Sequence, residues 1–146
     1  VVLASRSYER AELACAQIRE RLPDAQLTPA AADGPINEST ALQDVHAVIS
    51  AGAAGIELLS TEARLAAPNL RVAIDLNAVP PVGLAGIEVM DRATEREGQI
   101  CYGAIGVGGT KMKIHKAALR KLFSQNDLVL DAEEILDLGD ALETES

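Results

Sequence analysis

Short, wholly apolar runs alternate along this chain with segments whose apolar residues recur every three or four positions. Val1–Ala4 is apolar throughout and ends in Ser5, Arg6 and Ser7, which predicts a strand and a turn. Ala11, Leu13, Ala14, Ile18 and Leu22 then fall at helical spacing, and Pro23 ends the predicted helix. "AQLTPAA" reads as a short strand confined to a sheet edge by Pro29, and "ADGPINEST" as a loop. "STALQDV" allows only a brief helix before "HAVISAG", a second apolar strand stopped by Gly52. A short helix over Ser60 to Ala66 ends at Pro68, and "LRVAIDLNA" forms a third strand. Strands separated by helices indicate βαβ units in a doubly wound, parallel, Rossmann-like α/β sheet.

Beyond the third strand the pattern changes. "NAVPPVGLAGIEVM" carries two consecutive prolines and reads as a structured loop. "QICYGAIGVGG" predicts a strand entering a glycine-rich turn. From Thr110 a long helix has Met112, Leu119, Leu122 and Phe123 on one face and Lys111, Lys113, Lys116, Arg120 and Lys121 on the other. Asp131 and Glu134 fit a capping box that opens a last helix, "AEEILDLGDAL", before a frayed acidic tail, "ETES". Residues 1–109 are expected to form the sheet-based domain, and 110–146 to add helices packing on that sheet and on a further domain.

Composition narrows the partners. The 146 residues hold one Phe, two Tyr and no Trp, so the core must be aliphatic, as suits a sheet covered by helices. Thirteen Lys and Arg against 22 Asp and Glu give a net charge of −9, which disfavours nucleic acid and anionic membranes as partners. No apolar run is long enough to cross a bilayer. Cys15 and Cys101 lack metal-ligand spacing and are expected to be buried thiols in a reducing, cytoplasmic compartment. His46 and His115 have no catalytic or metal-binding constellation around them and read as structural.

Three strand ends carry candidate chemistry, because ligands in open α/β sheets bind at the carboxyl ends of the strands. Arg6, flanked by Ser5 and Ser7 with no acid nearby, suits the ribose 2′-phosphate of NADP; as a structural alternative, Ser7 caps a helix. The small residues of "SAGAAG" permit close approach of a nucleotide and equally form ordinary turns. Asp75 and Asn77 precede a rigid Pro-Pro corner, where a buried polar pair could brace the loop.

"YGAIGVGGTKMKIHKAALRKLF", "AIDLNAVPPVGLAGIEVMD", "SAGAAGIELL" and "DAEEIL" together resemble the carboxyl-terminal half of the NAD(P)-dependent methylene-tetrahydromethanopterin dehydrogenases. The resemblance implies a fragment of a longer enzyme, with an amino-terminal domain, a first strand and a GxGPxG loop before Val1. It implies NADP or NAD as cofactor, a small pterin substrate, hydride transfer without an obligate acid or base, and a homo-oligomer. By resemblance, Ser5, Arg6 and Ser7 meet the adenosine ribose or its phosphate, and Ala51, Gly52 and Ala53 form the turn beneath the cofactor. Asn77, Ala78, Ile105 and Gly106 match segments near the nicotinamide, and Lys111 matches a lysine at the domain cleft. Ser7 stands where strictly NADP-linked relatives tend to carry Lys, which favours use of both cofactors. A folate substrate, another NADP oxidoreductase of shikimate dehydrogenase type, and a non-catalytic nucleotide-binding domain remain alternatives.

Overall fold

The computed structural model describes residues 1–32 and 40–144. Strand β1 (Val2–Ser5) leads into helix α1 (Tyr8–Arg21), which Ser7 caps by accepting the Arg10 N–H at 3.4 Å. Ala11 and Cys15 on α1 are fully buried, whereas Leu13 and Leu22, which the spacing also places on the apolar face, are exposed. Strand β2 (Thr28–Ala31) runs parallel to β1, with Leu3 opposite Pro29. Proline offers no N–H to a second neighbour, so β2 lies at the edge of this two-stranded sheet. Most of the predicted loop and the start of the predicted brief helix lie outside the described residues; of the described remainder, Thr40 and Ala41 are helical and residues 42–44 form a turn.

A second sheet has the order β3-β4-β6-β5. Strand β3 (Ala47–Ser50) pairs in parallel with β4 (Val72–Asp75), placing Ser50 opposite Asp75. Between them helix α2 (Thr61–Ala66) is capped by Ser60, whose hydroxyl accepts the Ala63 N–H at 3.1 Å. Strand β6 (Gln99–Tyr102) is parallel to β4, with Tyr102 opposite Ile74. Ala73 and Cys101, on adjacent strands, are fully buried and share a core with Leu42, Leu59, Leu70, Leu84 and Ile87. The two cysteines are both free and buried, and burial pushes the Cys101 thiol pKa up.

The parallel α/β architecture thus follows the hydrophobic pattern, with two differences. The strands form two sheets rather than one, and the larger sheet is mixed. Its antiparallel strand, β5 (Thr94–Arg96), joins β6 through Glu97 and Gly98, both at positive φ (47° and 79°). That two-residue connection is the left-handed geometry hairpins favour, and Gly98 supplies it without strain. The segment was not anticipated as a strand because three residues, "TER", show no apolar alternation.

Helix α3 (Gly108–Leu122) begins two residues earlier than Thr110, and helix α4 (Ala132–Thr144) packs against it. The capping box forms: Glu134 accepts the Asp131 N–H and Asp131 accepts the Glu133 N–H, both at 3.0 Å. Glu143 and Thr144 are helical rather than frayed, and the Thr144 hydroxyl donates to the Asp140 carbonyl at 2.7 Å. Glu145 and Ser146 lie outside the described residues. Among the described residues no helix is long and apolar enough to cross a membrane.

Candidate functional site

The carboxyl ends of β3 and β4 are joined by a buried polar cluster. Asp75, Asn77 and Ser50 are 1%, 7% and 4% exposed. One Asp75 oxygen accepts the Asn77 backbone N–H at 3.0 Å and its side-chain amide at 3.2 Å. The other accepts the Leu84 N–H at 2.9 Å. Asn77 Nδ2 also donates to the Ser50 hydroxyl at 3.1 Å. A buried carboxylate is tolerated only when its lone pairs are satisfied, and here three N–H groups satisfy them. The Pro80–Pro81 bond, which is cis, lies within the loop that this cluster closes. Gly83 completes the fit, since a Cβ there would lie 2.1 Å from Ser50 Oγ and 2.4 Å from Asn77 Nδ2.

A second brace holds the glycine-rich turn. Arg96 grips the Asp91 carboxylate through two bonds of 2.6 and 2.7 Å, and the Glu88 N–H adds a third at 2.9 Å. Hydrogen bonding from Arg96, helped by that Glu88 amide, outweighs burial and holds the Asp91 carboxyl below its ordinary range. The backbone of residues 88–91 runs against the turn, with Gly103 N donating to the Asp91 carbonyl and Ile105 N to the Val89 carbonyl. A Cβ on Gly103 would meet the Glu88 carbonyl at 2.0 Å, and one on Gly106 would meet that of Asp91 at 1.7 Å. Both glycines are therefore required by backbone packing.

Two cavities open at these strand ends. One, of about 500 Å³, lies between β1 and β3 and is lined by Ser5, Arg6, Arg10, Ser50, Ala51, Gly52 and Ala53 with an apolar floor. The other, of about 760 Å³, lies between the ends of β4 and β6 and helix α3, lined by Leu76, Arg92, Tyr102, Gly106, Lys111, Lys113 and Ile114 among others. Ser50 faces the first cavity, and Leu76, beside Asp75, faces the second. The Ser50–Asn77–Asp75 cluster thus ties together the two strand ends that serve the two cavities.

No family model matches the chain. It is 36% identical over 139 residues to the bifunctional protein MdtA of Methylorubrum extorquens AM1, covering 95% of this chain and 48% of that protein. It is 37% identical over 114 residues to the NAD(P)-dependent methylenetetrahydromethanopterin dehydrogenase of the same organism, covering 75% of this chain and 38% of that enzyme. Over most of its length the chain is thus similar to part of an NAD(P)-dependent methylenetetrahydromethanopterin dehydrogenase. It spans about half the length of the first relative and less of the second.

The expected site residues fall in different places. Ser5, Arg6, Ala51, Gly52 and Ala53 come together around the first cavity, while Ser7 is engaged as the α1 cap. Gly106 and Lys111 line the second. Asn77 is buried in the polar cluster, and its neighbour Ala78 is exposed. Ile105, 53% exposed, sits on the turn held by Val89. The sequence does not single out Ser50, Gly83, Arg92 or Lys113 as site residues, although "SAGAAG" includes Ser50 and the basic helix face includes Lys113. The role of Ser50 is legible only through its register with Asp75, and that of Arg92 only because it lines the same cavity as residues of α3. His115, read as structural, is exposed on α3 and borders the second cavity.

Proposed function

We propose that this chain is part of the nicotinamide-binding region of a dehydrogenase that moves a hydride from methylenetetrahydromethanopterin to NADP or NAD. The observation that carries the reading is the convergence of Arg6, Ser5 and the Ala51–Gly52–Ala53 turn on one cavity, at the strand ends where this fold class binds nucleotides. The residues fit the cofactor. Arg6 and Arg10 both line this cavity, neither has an ion-pair partner among the described residues, and no described lining residue is acidic. A ribose 2′-phosphate suits the two guanidinium groups, whereas NAD leaves them solvated and still occupies the apolar floor.

When bound, the nicotinamide would accept the methylene hydride with its electron pair, the positive charge being left to the two nitrogens that flank that carbon. That chemistry would ask no proton transfer of the protein, whose residues would supply placement and exclude water. The rigid 77–84 loop, pinned by Asp75, fixes one wall of the reacting region. The Gly103–Gly106 turn, pinned against residues 88–91, fixes another. Lys111 lines the second cavity, which this reading gives to the substrate.

The reading extends to a cytoplasmic enzyme, to residues 110–146 meeting a further domain, and to self-association. Exposed Phe123 (90%), Val129 (82%) and Leu136 (64%) on and around α3 and α4 support an apolar contact there. The deciding experiment is an assay of the purified whole protein with methylenetetrahydromethanopterin and each nicotinamide, read as absorbance of the reduced cofactor. Reduction of both NADP and NAD is expected. Activity on methylenetetrahydrofolate alone would assign the folate substrate, and none on either pterin would overturn the proposal.

A further inference from the structure

Strand β5 lines neither cavity, yet its last residue, Arg96, makes the one two-bond grip on a carboxylate among the described residues. Asp91, which it holds, is 5% exposed, and the same guanidinium lies 3.3 Å from the Glu88 carboxylate. The Asp91 carboxylate also accepts the Glu88 N–H at 2.9 Å, and the Asp91 N–H donates to the Glu88 carbonyl at 2.9 Å. One side chain thus closes the turn of residues 88–91 and fastens it to β5. The Gly103–Gly106 turn depends on that backbone. It consists of two glycines, Ala104 and an Ile105 that is 53% exposed, so no large buried side chain anchors it. Its N–H groups are held instead, Gly103 by the Asp91 carbonyl at 2.9 Å, and Ile105 and Gly106 by the Val89 carbonyl at 2.8 and 3.2 Å. Gly106, and Arg92 next to Asp91, both line the larger cavity. Fixing Asp91 therefore fixes two parts of that wall from outside it.

We infer that Arg96 and Asp91 are positioning residues, whose fork holds the Gly103–Gly106 turn where hydride donor and acceptor can meet, although neither side chain lines a cavity. The inference rests on the proposed dehydrogenase for the reaction, and on the geometry alone for the hold on the turn. Hydride transfer asks placement of the protein, and a displacement of about 1 Å can cost on the order of 10²-fold in rate. A single hydrogen bond leaves a hinge, whereas two charge-assisted bonds to one carboxylate fix both its distance and its rotation. The antiparallel strand in an otherwise parallel sheet acquires a role by this reading: it carries Arg96 to Asp91. A purely structural brace would cost stability throughout the chain when broken, whereas a positioning pair costs the turn its order and the reaction its rate.

Arg96→Met, Arg96→Lys and Asp91→Asn in the whole protein test this, with Glu95→Ala, at an exposed position of the same strand, as the control. Amide hydrogen exchange read by mass spectrometry follows the turn with no ligand present. Arg96→Met is expected to speed exchange in peptides spanning residues 103–107 by about tenfold or more, while β4 stays as protected as in the parent. Initial rates with methylenetetrahydromethanopterin and NADP should show kcat lowered on the order of 10²-fold, with KM for NADP close to that of the parent. Arg96→Lys keeps the charge and loses the fork, so it should fall between. Should Arg96→Met fail to fold, the Lys and Asn variants carry the same two readouts. Parental exchange in the turn, faster exchange with kcat unchanged, a loss confined to KM, or an equal loss in Glu95→Ala would each overturn the inference. Exchange needs no turnover, so a protein whose turn loosens as expected but which reduces neither nicotinamide in any form refutes the dehydrogenase reading and leaves the hold on the turn standing.

Discussion

The Asp75 carboxylate accepts the backbone N–H of Leu84 at 2.9 Å, closing a nine-residue excursion from the end of β4 back onto the buried core. The same carboxylate receives both N–H donors of Asn77, so one side chain fixes the start and the end of the loop. Asp75→Asn puts an amide donor where one acceptor oxygen stood, leaving a buried N–H facing another. The expected loss is about 1–3 kcal/mol of stability, read from urea unfolding with the denaturant slope unchanged. A variant within experimental error of the parent would mean that the prolines alone define the loop.

Two glycines six residues apart, Gly103 before α3 and Gly109 in its first turn, should respond oppositely. Gly103→Ala places a Cβ against the Glu88 carbonyl and must displace backbone, whereas a Cβ at Gly109 meets nothing within 4 Å. Gly103→Ala is expected to cost upward of about 1–3 kcal/mol through overpacking. Gly109→Ala should instead gain roughly 0.5–1 kcal/mol by stiffening the unfolded chain within a helical position. Thermal melts of the two variants in parallel check the contrast; a shift of the same sign in both would refute it.

Asp91 sets an acid limit. Its carboxyl is held below the ordinary range by hydrogen bonding from Arg96, so its folded pKa is the lower of the two states. The stabilisation is fully present above the unfolded pKa, roughly 3.9 for Asp, and is lost as pH falls through the lower folded value. Arg96→Met removes the grip, raises the folded pKa and flattens the dependence of stability on pH in that acid range. Denaturation midpoints measured from pH 6 downward check this, the parent and variant curves converging at the acid end.

Arg64 is fully buried, donates to the Gln99 side chain, and meets Glu97 at 3.0 Å, where Glu97 is 54% exposed. Glu97 is half in solvent but its partner is not, so Glu97→Ala leaves a fully buried guanidinium without that carboxylate and should cost upward of about 1–3 kcal/mol. Arg64→Leu removes the buried charge together with the donor to the Gln99 oxygen, and a loss of about 1–3 kcal/mol is expected, measured by chemical unfolding. A Glu97→Ala protein as stable as the parent would show that solvent already screens the Arg64 charge.

For Arg6 the readout is cofactor choice. Arg6→Ala in the whole enzyme should raise KM for NADP more than for NAD, through loss of a charge-assisted bond of roughly 1.5–3 kcal/mol. Initial-rate kinetics with both cofactors check it, and equal effects on the two would confine Arg6 to a structural role.

What could be read from the chain beforehand followed the physics of each segment. Apolar runs bounded by Pro and Gly gave β1, β3, β4 and β6, since strands covered by helices need no alternation. Helix starts were legible where a hydroxyl or carboxylate caps them, as at Ser7, Ser60 and Asp131. Strand β5 was hidden because its pairing is dictated by the Glu97–Gly98 turn, not by its own side chains. "GAIG" reads as a glycine-rich turn, yet why Gly103 and Gly106 must be glycine is explained by a neighbouring loop whose proximity no local pattern encodes. The cation-lined cavity was equally hidden, because Arg92 and Lys113 meet only through tertiary structure.

The four-stranded sheet ends unlike at its two rims. On one side β5 is three residues long and carries Glu95 and Arg96. On the other, β3 presents Ala47, Val48 and an Ile49 that is 63% exposed, with no strand paired beyond it among the described residues. Short, charged rims resist recruiting foreign backbone, and apolar rims invite it. This sheet is consequently directional as a template: backbone pairing is discouraged at the hairpin and permitted at β3.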